Sequence, residues 1–237
     1  MGELGCHDSP AAAIARAREL AAAHDAANGP REVRAAVHQI VAVAQPRPGP
    51  CGTYLAWMGD ETIAEWVDAA READVLLFLD VQIGWSDPLR EVRRLDAVLR
   101  EPFVHLALDP EFATRGKGLP PGEAIGTVSA AQVNEVQAYL ADLVHEAALP
   151  SKVLVLHQFK PGMLTDKAAY ADTPEVELTI DMDGFGGADA KLSGYEAYAR
   201  VGSDRAAFKL FFHWDTPLLT PEQIQALPHP PDYVIYQ

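Results

Sequence analysis

Short apolar runs alternate along the chain with longer segments of helical composition. Seven of these runs have the length and the β-branched or aliphatic character of buried strands. They are HQIVAVAQ (38–45), DVLLFLDVQ (74–82), VHLALDPEF (104–112), KVLVLHQF (152–159), VELTIDMDGF (176–185), FKLFFHWD (208–215) and DYVIYQ (232–237). An alanine-rich run at 10–27 precedes them and predicts an N-terminal helix that ends at Asn28-Gly29-Pro30.

Helix-capping residues stand where the intervening segments should begin as helices. Asp87 and Pro88 provide an N-cap and a first-turn proline, and Ser129 with Gln132 forms a capping box. The segment 220–223 (Thr-Pro-Glu-Gln) repeats the device. The repeating unit is therefore strand, loop and helix.

Strict alternation of strands and helices predicts parallel strands, because a crossover between parallel neighbours needs room for a helix. A doubly wound sheet and a closed barrel both satisfy the pattern, but no GxGxxG or GxxxxGK[ST] motif follows any strand. We therefore expect one (β/α) TIM-type barrel domain over residues 1–237. Only seven strands can be counted where closure normally takes eight, so the predicted barrel is incomplete, with its first strand missing.

The missing strand would leave a gap between the runs 38–45 and 232–237. Exposed strand edges invite association, so this interpretation also predicts a homodimer or an N-terminal segment that covers the gap. Cys6 and Cys51 lie near loops at one end of their strand-helix units, and we expect that they can meet.

The charge of the chain restricts its partners. Of 237 residues, 34 are acidic and 19 are basic, which gives a formal net charge of −15. Nucleic acids and anionic membranes attract basic surfaces, so neutral ligands fit this chain better. We find no apolar stretch of about 18 residues and no basic-plus-apolar leader, so no membrane span is expected and the localisation stays open.

Polar side chains gather at the C-terminal ends of the predicted strands. Because side chains alternate between the two faces of a strand, several strands send one polar row toward the barrel interior. The late members of these rows are Asp80, Gln82, Asp109, Glu111, His157, Gln158, Asp181, Asp183, His213, Asp215 and Gln237. Barrel enzymes build their sites at this end, so the cluster predicts a functional site. The earlier charged residues His105, Glu177 and Lys209 are expected to satisfy one another inside the sheet.

Aromatic residues follow the polar strand ends directly. They are Trp85, Phe112, Phe185 and Trp214, and the flexible loop GFGG (184–187) holds one of them. Rings beside carboxylates suit sugars, whose apolar faces stack while their hydroxyls form hydrogen bonds. The alternative is that these rings cap the barrel as part of its core.

The segment Asp109-Pro110-Glu111 resembles the end of the DxxDxDxE signature of chitinase-like glycoside hydrolases of family 18. In that family the Glu is the general acid and the Asp two residues before it orients the acetamido group of the substrate. The resemblance therefore implies these roles for Glu111 and Asp109. Val104 and Ala107 stand where the signature has its two earlier aspartates.

The chain as a whole is similar to uncharacterised bacterial proteins of a TIM-barrel, glycoside-hydrolase-like family, some of them lipoproteins. The shared segments are FLDVQIG, HLALDPEF, VLHQF, DMDGFGG and WDTPL. This resemblance implies one further strand before the MGELG segment and an extracellular or cell-surface location for full-length relatives.

The sequence favours a glycosidase acting on a β-glucan-like or related polysaccharide. Such an enzyme needs one protonated carboxyl group and one ionised partner. Glu111 is the predicted acid, and Asp183 or Asp181 the predicted partner, with Asp109 beside them. Predicted sugar-binding residues are Asp80, Gln82, Trp85, His157, Gln158, His213, Trp214, Asp215 and Gln237. This interpretation needs no cofactor.

Two alternatives remain open at this point. The first is a metal-dependent hydrolase or lyase, in which Asp80, Glu111, Asp181, Asp183 and His213 hold a hard divalent ion. The second is a barrel that binds sugars without catalysing their cleavage.

Overall fold

The helices of the protein are unequal in length. The computed structural model describes residues 9–237. Its helices are α1 (Pro10–Ala27), α2 (Asp60–Ala73), α3 (Pro88–Val92), α4 (Asp96–Leu99), α5 (Ala130–Ala147), α6 (Ala188–Gly194) and α7 (Pro221–Gln225). Across residues 9–237, no helix has both the length and the apolar character needed to span a bilayer. Cys6 lies outside the described residues, and Cys51 is exposed.

Eight strands form the main sheet, and two further strands pair separately. The strands are β1 (Ala36–Ala44), β2 (Leu55–Trp57), β3 (Leu76–Gln82), β4 (Val104–Asp109), β5 (Val128–Ser129), β6 (Lys152–Gln158), β7 (Leu164–Thr165), β8 (Val176–Met182), β9 (Arg205–Leu210) and β10 (Tyr233–Tyr236). The order in the main sheet is β10-β9-β8-β6-β4-β3-β1-β2, and β5 pairs with β7. All neighbours in the main sheet are parallel except β1 and β2, which are antiparallel.

Local sequence signals determine where the helices start. Ser9 caps α1, and Asp87 caps α3 by accepting a hydrogen bond from the Arg90 amide at 3.0 Å. The predicted capping boxes form at α5, with Ser129 and Gln132, and at α7. Helix α1 spans the predicted residues 10–27, and Asn28 is its C-cap. The capping predictions are therefore confirmed.

The two faces of the sheet have different chemistry. Aliphatic side chains of the central strands pack against α2 and α5 in a core that includes Leu79, Leu106 and Leu156. Each such side chain stabilises the fold by about 1.5–3 kcal/mol through burial. The opposite face holds a small apolar group, Phe78, Ala107 and Val155, with polar residues beyond it. The buried ionisable residues Asp80, Asp109 and His157 lie on this second face, toward the C-terminal ends of the strands.

The predicted TIM-type barrel is wrong, although each of the seven predicted runs contains a strand. The sheet curls into a half-barrel and stays open, because the register of residues 9–237 contains no pairing between β10 and β1 or β2. An antiparallel neighbour, β2, pairs with Ala42, Val43 and Ala44 of β1. The sequence pattern did not reveal this three-residue strand. Several helices are also too short for the outer layer of a barrel, with five residues in α3 and α7 and four in α4.

The curl brings side chains from distant strands together. Tyr233 of β10 stacks on Phe78 of β3 with a ring separation of 4.5 Å, and its hydroxyl lies 3.1 Å from Nδ1 of His38 in β1. Helix α1 packs against β1, α2 and α7. Its buried His24 bonds the hydroxyl of Tyr236 in β10 at 2.8 Å, so the helix connects the two ends of the curled sheet.

Candidate functional site

A layer of ionisable side chains lies on the concave face, two residues beyond the apolar group in the same strands. Asp80 follows Phe78 in β3, Asp109 follows Ala107 in β4, and His157 follows Val155 in β6. Alternation along each strand keeps these pairs on one face. The sheet register aligns neighbouring strands, so the polar positions form one cluster rather than separate sites.

His157 is the centre of this cluster. Its Nδ1 atom lies 2.8 Å from Oδ2 of Asp181 and 3.6 Å from Oδ2 of Asp183, while its Nε2 atom lies 3.3 Å from Oδ2 of Asp80. The imidazole is only 1 % exposed. A single ring therefore connects carboxylates from β3, from β8 and from the residue that follows β8.

His38 approaches the same carboxylate from β1. Its Nε2 atom lies 3.3 Å from Oδ2 of Asp80, and its Nδ1 atom lies 3.1 Å from the hydroxyl of Tyr233. The two Nε2 atoms, of His38 and His157, are within ion-pair distance of the same Asp80 oxygen, although neither contact has regular hydrogen-bond geometry. Oδ1 of Asp80 also has no hydrogen-bond partner.

Lys209 neutralises the outer side of the cluster. Its Nζ atom lies 2.8 Å from Oδ1 of Asp183, and both side chains are nearly buried. Burial alone would lower the pKa of Lys209, but the carboxylates of Asp183 and Asp181 raise it above its ordinary value. Asp183 is therefore held between the ammonium group and the His157 ring.

Burial and charge act in opposite directions on the central groups. Burial alone would raise the pKa of Asp80, but the charge of His157 and the further polar contacts of His157 and His38 together lower that pKa. Burial alone would lower the pKa of His157, but Asp80 and Asp183 raise it well above its ordinary value. For His38 burial prevails, and its pKa is lowered although Asp80 attracts the charged ring. The directions of these shifts favour the charged form of His157 and disfavour that of His38.

Asp109 and Glu111 form the edge of the cluster at the end of β4. Asp109 accepts a hydrogen bond from the backbone amide of Glu111 at 2.9 Å, which caps the short 3-10 turn Pro110–Phe112. Burial raises the pKa of Asp109 to about 8, and Asp183 contributes to the rise. Burial also raises the pKa of Glu111, and Asp183 raises it further against the opposing charge of Lys209. Glu111 is half-buried, and Asp109 is buried.

Of the predicted catalytic residues, Asp181 and Asp183 contact His157, whereas Asp109 and Glu111 interact with Asp183 through its charge. Asp181 is completely buried against His157, so its carboxylate positions the ring. Asp183 and Glu111 are less enclosed and lie on the side of the cluster formed by the strand ends. Asp80 and His157, predicted to bind sugar hydroxyls, are instead central members of the buried network.

Three other predicted ligand-binding residues have structural contacts. Gln82 accepts a hydrogen bond from the Ala44 amide at 2.8 Å, just beyond a register shift in β1. The indole of Trp85 donates to the Leu119 carbonyl at 3.0 Å. The side-chain amide of Gln158 donates to the Lys160 carbonyl, although its Oε1 atom is buried without a partner.

The loops after β8 and β9 are joined by a buried ion pair. Nζ of Lys191 lies 3.0 Å from Oδ2 of Asp215 and donates to the Gly184 carbonyl at 2.6 Å. Asp215 also accepts hydrogen bonds from the amides of Gly186 and Phe211, each at 2.9 Å. The oxygens of Asp215 thus fix the two loops, and its sugar-binding role stays a prediction.

The same two loops expose aromatic rings. Phe185 is 67 % exposed, Trp214 is 46 % exposed, and their ring centroids are 5.6 Å apart. A surface cleft lies beside them, between residues 187–190 and Thr216. His213 is exposed in the β9 loop, and the backbone of Gln237 pairs with Leu210 and Phe212. The accessible part of this region therefore includes Phe185, Trp214 and His213.

The expectation that His105, Glu177 and Lys209 satisfy one another is wrong. Nδ1 of His105 accepts a hydrogen bond from the Val153 amide at 3.1 Å. Glu177 pairs with Arg205 at 3.2 Å near the protein surface, and Lys209 pairs with Asp183. His105 and Glu177 lie at the level of Val153 on strands that are not neighbours, and Lys209 lies further along the sheet beside Asp183, so a linear pattern does not show these partners.

Three important members of the cluster were not singled out from the sequence as site residues: His38, Lys209 and Tyr233. His38 opens a predicted strand, and Tyr233 lies in the last one, so their positions gave no sign of a strand-end site. The register of β1 with β3 pairs His38 with Phe78, two residues before Asp80. The sequence did contain a signal for His38, because it is a histidine in the inward-facing row of an otherwise apolar strand.

Among residues 9–237, two sets of three side chains have ligand atoms within 4.8 Å of one another. One set is His38, Asp80 and His157, and the other is His157, Asp181 and Asp183. The ligand set predicted from sequence is only partly brought together, because Glu111 and His213 belong to neither set.

Comparison with known proteins gave no match, whether the chain was compared with protein-family models, with curated proteins or with solved structures.

Proposed function

We propose that the protein hydrolyses glycosidic bonds, with Glu111 as the proton donor and Asp183 as its ionised partner. The observation that carries this proposal is a contrast between the two carboxyl groups. Glu111 has a raised pKa, which burial and the charge of Asp183 produce. Asp183 is paired with the ammonium group of Lys209 at 2.8 Å. Glycosidases need one carboxyl group of each kind.

The surroundings of Glu111 suit a general acid. Its carboxyl group is half-buried, so it is partly desolvated and still reachable. The turn that carries it is fixed on both sides, because its amide donates to Asp109 at 2.9 Å and its carbonyl accepts from the Gly126 amide at 2.6 Å. A raised pKa keeps such a group protonated closer to neutral pH, where it can donate a proton.

Asp183 suits the partner role better than the other carboxylates. Asp181 and Asp80 are 0 % and 3 % exposed, so a substrate cannot approach them as the structure stands. Asp183 follows β8 immediately and precedes the exposed Phe185. Lys209 and His157 fix its two oxygens, which orients the carboxylate without a large side-chain rearrangement.

The reaction would begin with proton transfer from Glu111 to the glycosidic oxygen, as the bond between that oxygen and the anomeric carbon breaks. Asp183 would stabilise the developing positive charge on the sugar, either by attacking the anomeric carbon or by removing a proton from an attacking water. Asp109, whose pKa burial raises to about 8, would stay protonated at neutral pH and could donate a hydrogen bond to the substrate.

The exposed rings of Phe185 and Trp214 would supply the sugar-binding surface. Sugar rings stack on aromatic faces, and a net charge of −15 favours neutral over anionic glycans. The Lys191–Asp215 ion pair fixes both loops that carry these rings. Binding would therefore need little additional ordering of the backbone.

The experiment is a screen of the purified protein on aryl-glycosides and soluble glycans, together with two variants. Glu111→Gln keeps the side-chain volume and removes the transferable proton, so hydrolysis should fall by about 10²–10⁴-fold. Glu123→Gln changes an exposed glutamate of the following loop and should leave the rate unchanged. Turnover by Glu111→Gln at the wild-type rate, or inactivity of folded wild-type protein on every glycan, would contradict the proposal.

A further inference from the structure

We propose that His38, Asp80 and His157 form a binding site for one divalent transition-metal ion of the zinc class. The ligand atoms would be Nε2 of both imidazoles and the carboxylate of Asp80. This site is separate from Glu111, and the inference does not depend on the proposed glycosidase activity.

The first argument is that unpaired polar atoms converge. Nε2 of His38, Nε2 of His157 and Oδ1 of Asp80 are all buried and lack hydrogen-bond partners. The side chains of His157 and Asp80 are only 1 % and 4 % exposed. A buried polar atom without a partner costs about 1–3 kcal/mol. Here the two Nε2 atoms share a single ion-pair partner, Oδ2 of Asp80, and Oδ1 has none, so an ion bound between the three side chains would satisfy them better.

The second argument is the spacing of the ligand atoms. Each Nε2 atom lies 3.3 Å from Oδ2 of Asp80. Ligands of a tetrahedral zinc ion, with metal-to-ligand bonds of about 2.0–2.1 Å, are roughly 3.3–3.4 Å apart. Two of the three separations thus match the distance that shared coordination requires, and all three ligand atoms lie within 4.8 Å of one another.

The third argument is the set of groups that hold the two imidazole rings. Nδ1 of His157 is bonded to Oδ2 of Asp181 at 2.8 Å, and Nδ1 of His38 is within hydrogen-bond distance of the Tyr233 hydroxyl. Metal-binding histidines nearly always use their other ring nitrogen in this manner, which orients the ring and directs the free nitrogen to the ion. Both rings here present Nε2 to the same point.

The neighbouring set, His157, Asp181 and Asp183, is a poorer site. Nδ1 of His157 already bonds Asp181, and Lys209 occupies one oxygen of Asp183 at 2.8 Å. A metal ion there would have to compete with a fixed ammonium group. The charge of Lys209 therefore favours placing the ion on the other side of the ring, at Nε2.

The ligand types indicate which ions would bind. Two imidazole nitrogens and one carboxylate suit Zn²⁺, Co²⁺ and related ions, whereas Mg²⁺ and Ca²⁺ prefer oxygen ligands. Three protein ligands leave a fourth position on a tetrahedral ion, which Oδ1 of Asp80 or a water molecule can fill. The competing occupant of this space is a proton on His157.

The test is metal binding to the full chain after dialysis against a chelator. Titration with Zn²⁺ should show one site per chain by calorimetry, and Mg²⁺ at equal concentration should show none. Co²⁺ should give visible absorption bands of the intensity that four-coordinate nitrogen and oxygen ligands produce. Bound Zn²⁺ should also raise the melting temperature, because it binds the folded state alone.

Variants assign the site to these residues. His38→Gln should weaken Zn²⁺ binding by more than tenfold, and Tyr233→Phe, which removes only the hydroxyl beside His38, should weaken it by about 10–100-fold. His105→Gln is the matched control, since His105 is also buried on the concave face but belongs to neither set. It should keep the affinity of the wild type. Tyr233→Phe preserves the ring packing and tests the site even if the histidine variants do not fold.

The inference would be overturned if folded, chelator-treated protein failed to bind Zn²⁺. A proton on His157 would then be the occupant of the space between the three side chains. Stoichiometric binding that survives both His38→Gln and Tyr233→Phe would also overturn it. These results are independent of glycosidase activity. If glycan hydrolysis persists in chelator, the binding data alone decide the metal inference. If the protein binds metal but hydrolyses no glycan, only the proposed function is contradicted.

Discussion

Nδ1 of His157 and Oδ2 of Asp181 are 2.8 Å apart in a part of the protein from which solvent is almost completely excluded. His157 lies in β6 and Asp181 in β8, and the sheet register places the two residues directly opposite each other. The pair therefore links two central strands through their side chains and fixes the ring on which the other carboxylates depend.

The first prediction concerns this pair. Asp181→Asn keeps the shape of the side chain but removes its charge, so the His157 ring loses its closest charged partner. Breaking a buried ion pair in this way should lower the free energy of unfolding by about 3 kcal/mol. Urea denaturation in the presence of chelator measures the change. Asp189→Asn, at an exposed position in α6, should change stability by less than about 0.5 kcal/mol. Equal effects of the two variants would contradict the assignment.

The second prediction is a pH dependence. Burial raises the pKa of Asp109 to about 8, whereas an aspartate in an unfolded chain titrates near about pH 3.9. Between these values the folded state binds more protons than the unfolded state, so the contribution of Asp109 to stability falls as pH rises and levels off above about pH 8.

Asp109→Asn removes that titration and still offers an acceptor to the Glu111 amide. Relative to wild type, it should gain stability on the order of a few kcal/mol at pH 9 and show little difference at pH 4. Urea denaturation at the two pH values, with chelator present, measures this. A variant whose stability relative to wild type does not change between pH 4 and pH 9 would show that Asp109 has an ordinary pKa.

The third prediction concerns the loops after β8 and β9. Lys191→Met retains most of the side-chain volume but leaves Asp215 charged and unpaired in a buried position. The free energy of unfolding should fall by about 3–5 kcal/mol. Lys160→Met, at an exposed position, should change it by less than about 0.5 kcal/mol. If Lys191→Met were as stable as Lys160→Met, the ion pair would not be fixing these loops.

The fourth prediction concerns the turn that carries Glu111. A Cβ atom at Gly126 would overlap the Pro110 carbonyl oxygen and the Ala113 backbone, so Gly126→Ala must displace this turn. Displacement by about 1 Å can cost on the order of 10²-fold in rate, so kcat should fall much more than KM rises. Gly116→Ala is the control, because a Cβ atom there meets no neighbour within 4 Å. An unchanged kcat in Gly126→Ala would show that the position of the turn is unimportant for the reaction.

Local signals in the sequence predicted the separate elements well. The capping residues at Ser129 and Thr220 act within four residues of the chain, so the pattern alone reveals them. The polar rows ending at Asp80 and Asp109 were also visible, because strand alternation is strictly local. These features required no knowledge of which strands are neighbours.

Closure of the sheet could not be predicted in this manner. Whether β10 pairs with β1 depends on the curl of the whole sheet and on β2, whose three residues, Leu55–Trp57, give no periodicity. The contact between His38 and Tyr233 likewise joins residues 195 positions apart in the chain. Pairing of strands and contacts across the concave face are long-range properties, so a linear pattern leaves them undetermined.

The candidate site likewise contains residues that the sequence identified and contacts that only the fold revealed. Asp183 and Glu111 were identified because they end strands, but the partners that determine their chemistry were not. Lys209 was taken for a charge balanced inside the sheet, whereas it pairs with Asp183 at 2.8 Å. Asp215 ends a predicted strand, yet β9 ends at Leu210 and the aspartate turns inward to Lys191. Sequence patterns reveal residue types at strand ends, and only the fold assigns their partners.

The most direct test of the proposed function compares leaving groups on one glycoside series. A general acid is needed when the leaving oxygen is strongly basic and is hardly needed when the leaving group is a stable phenolate. With the glycoside that the wild type cleaves best, Glu111→Gln should lose about 10²–10⁴-fold on the alkyl or poorly activated aryl compound and less than about tenfold on the dinitrophenyl compound. Equal losses on both compounds, or no loss on either, would contradict the role of Glu111 as the proton donor.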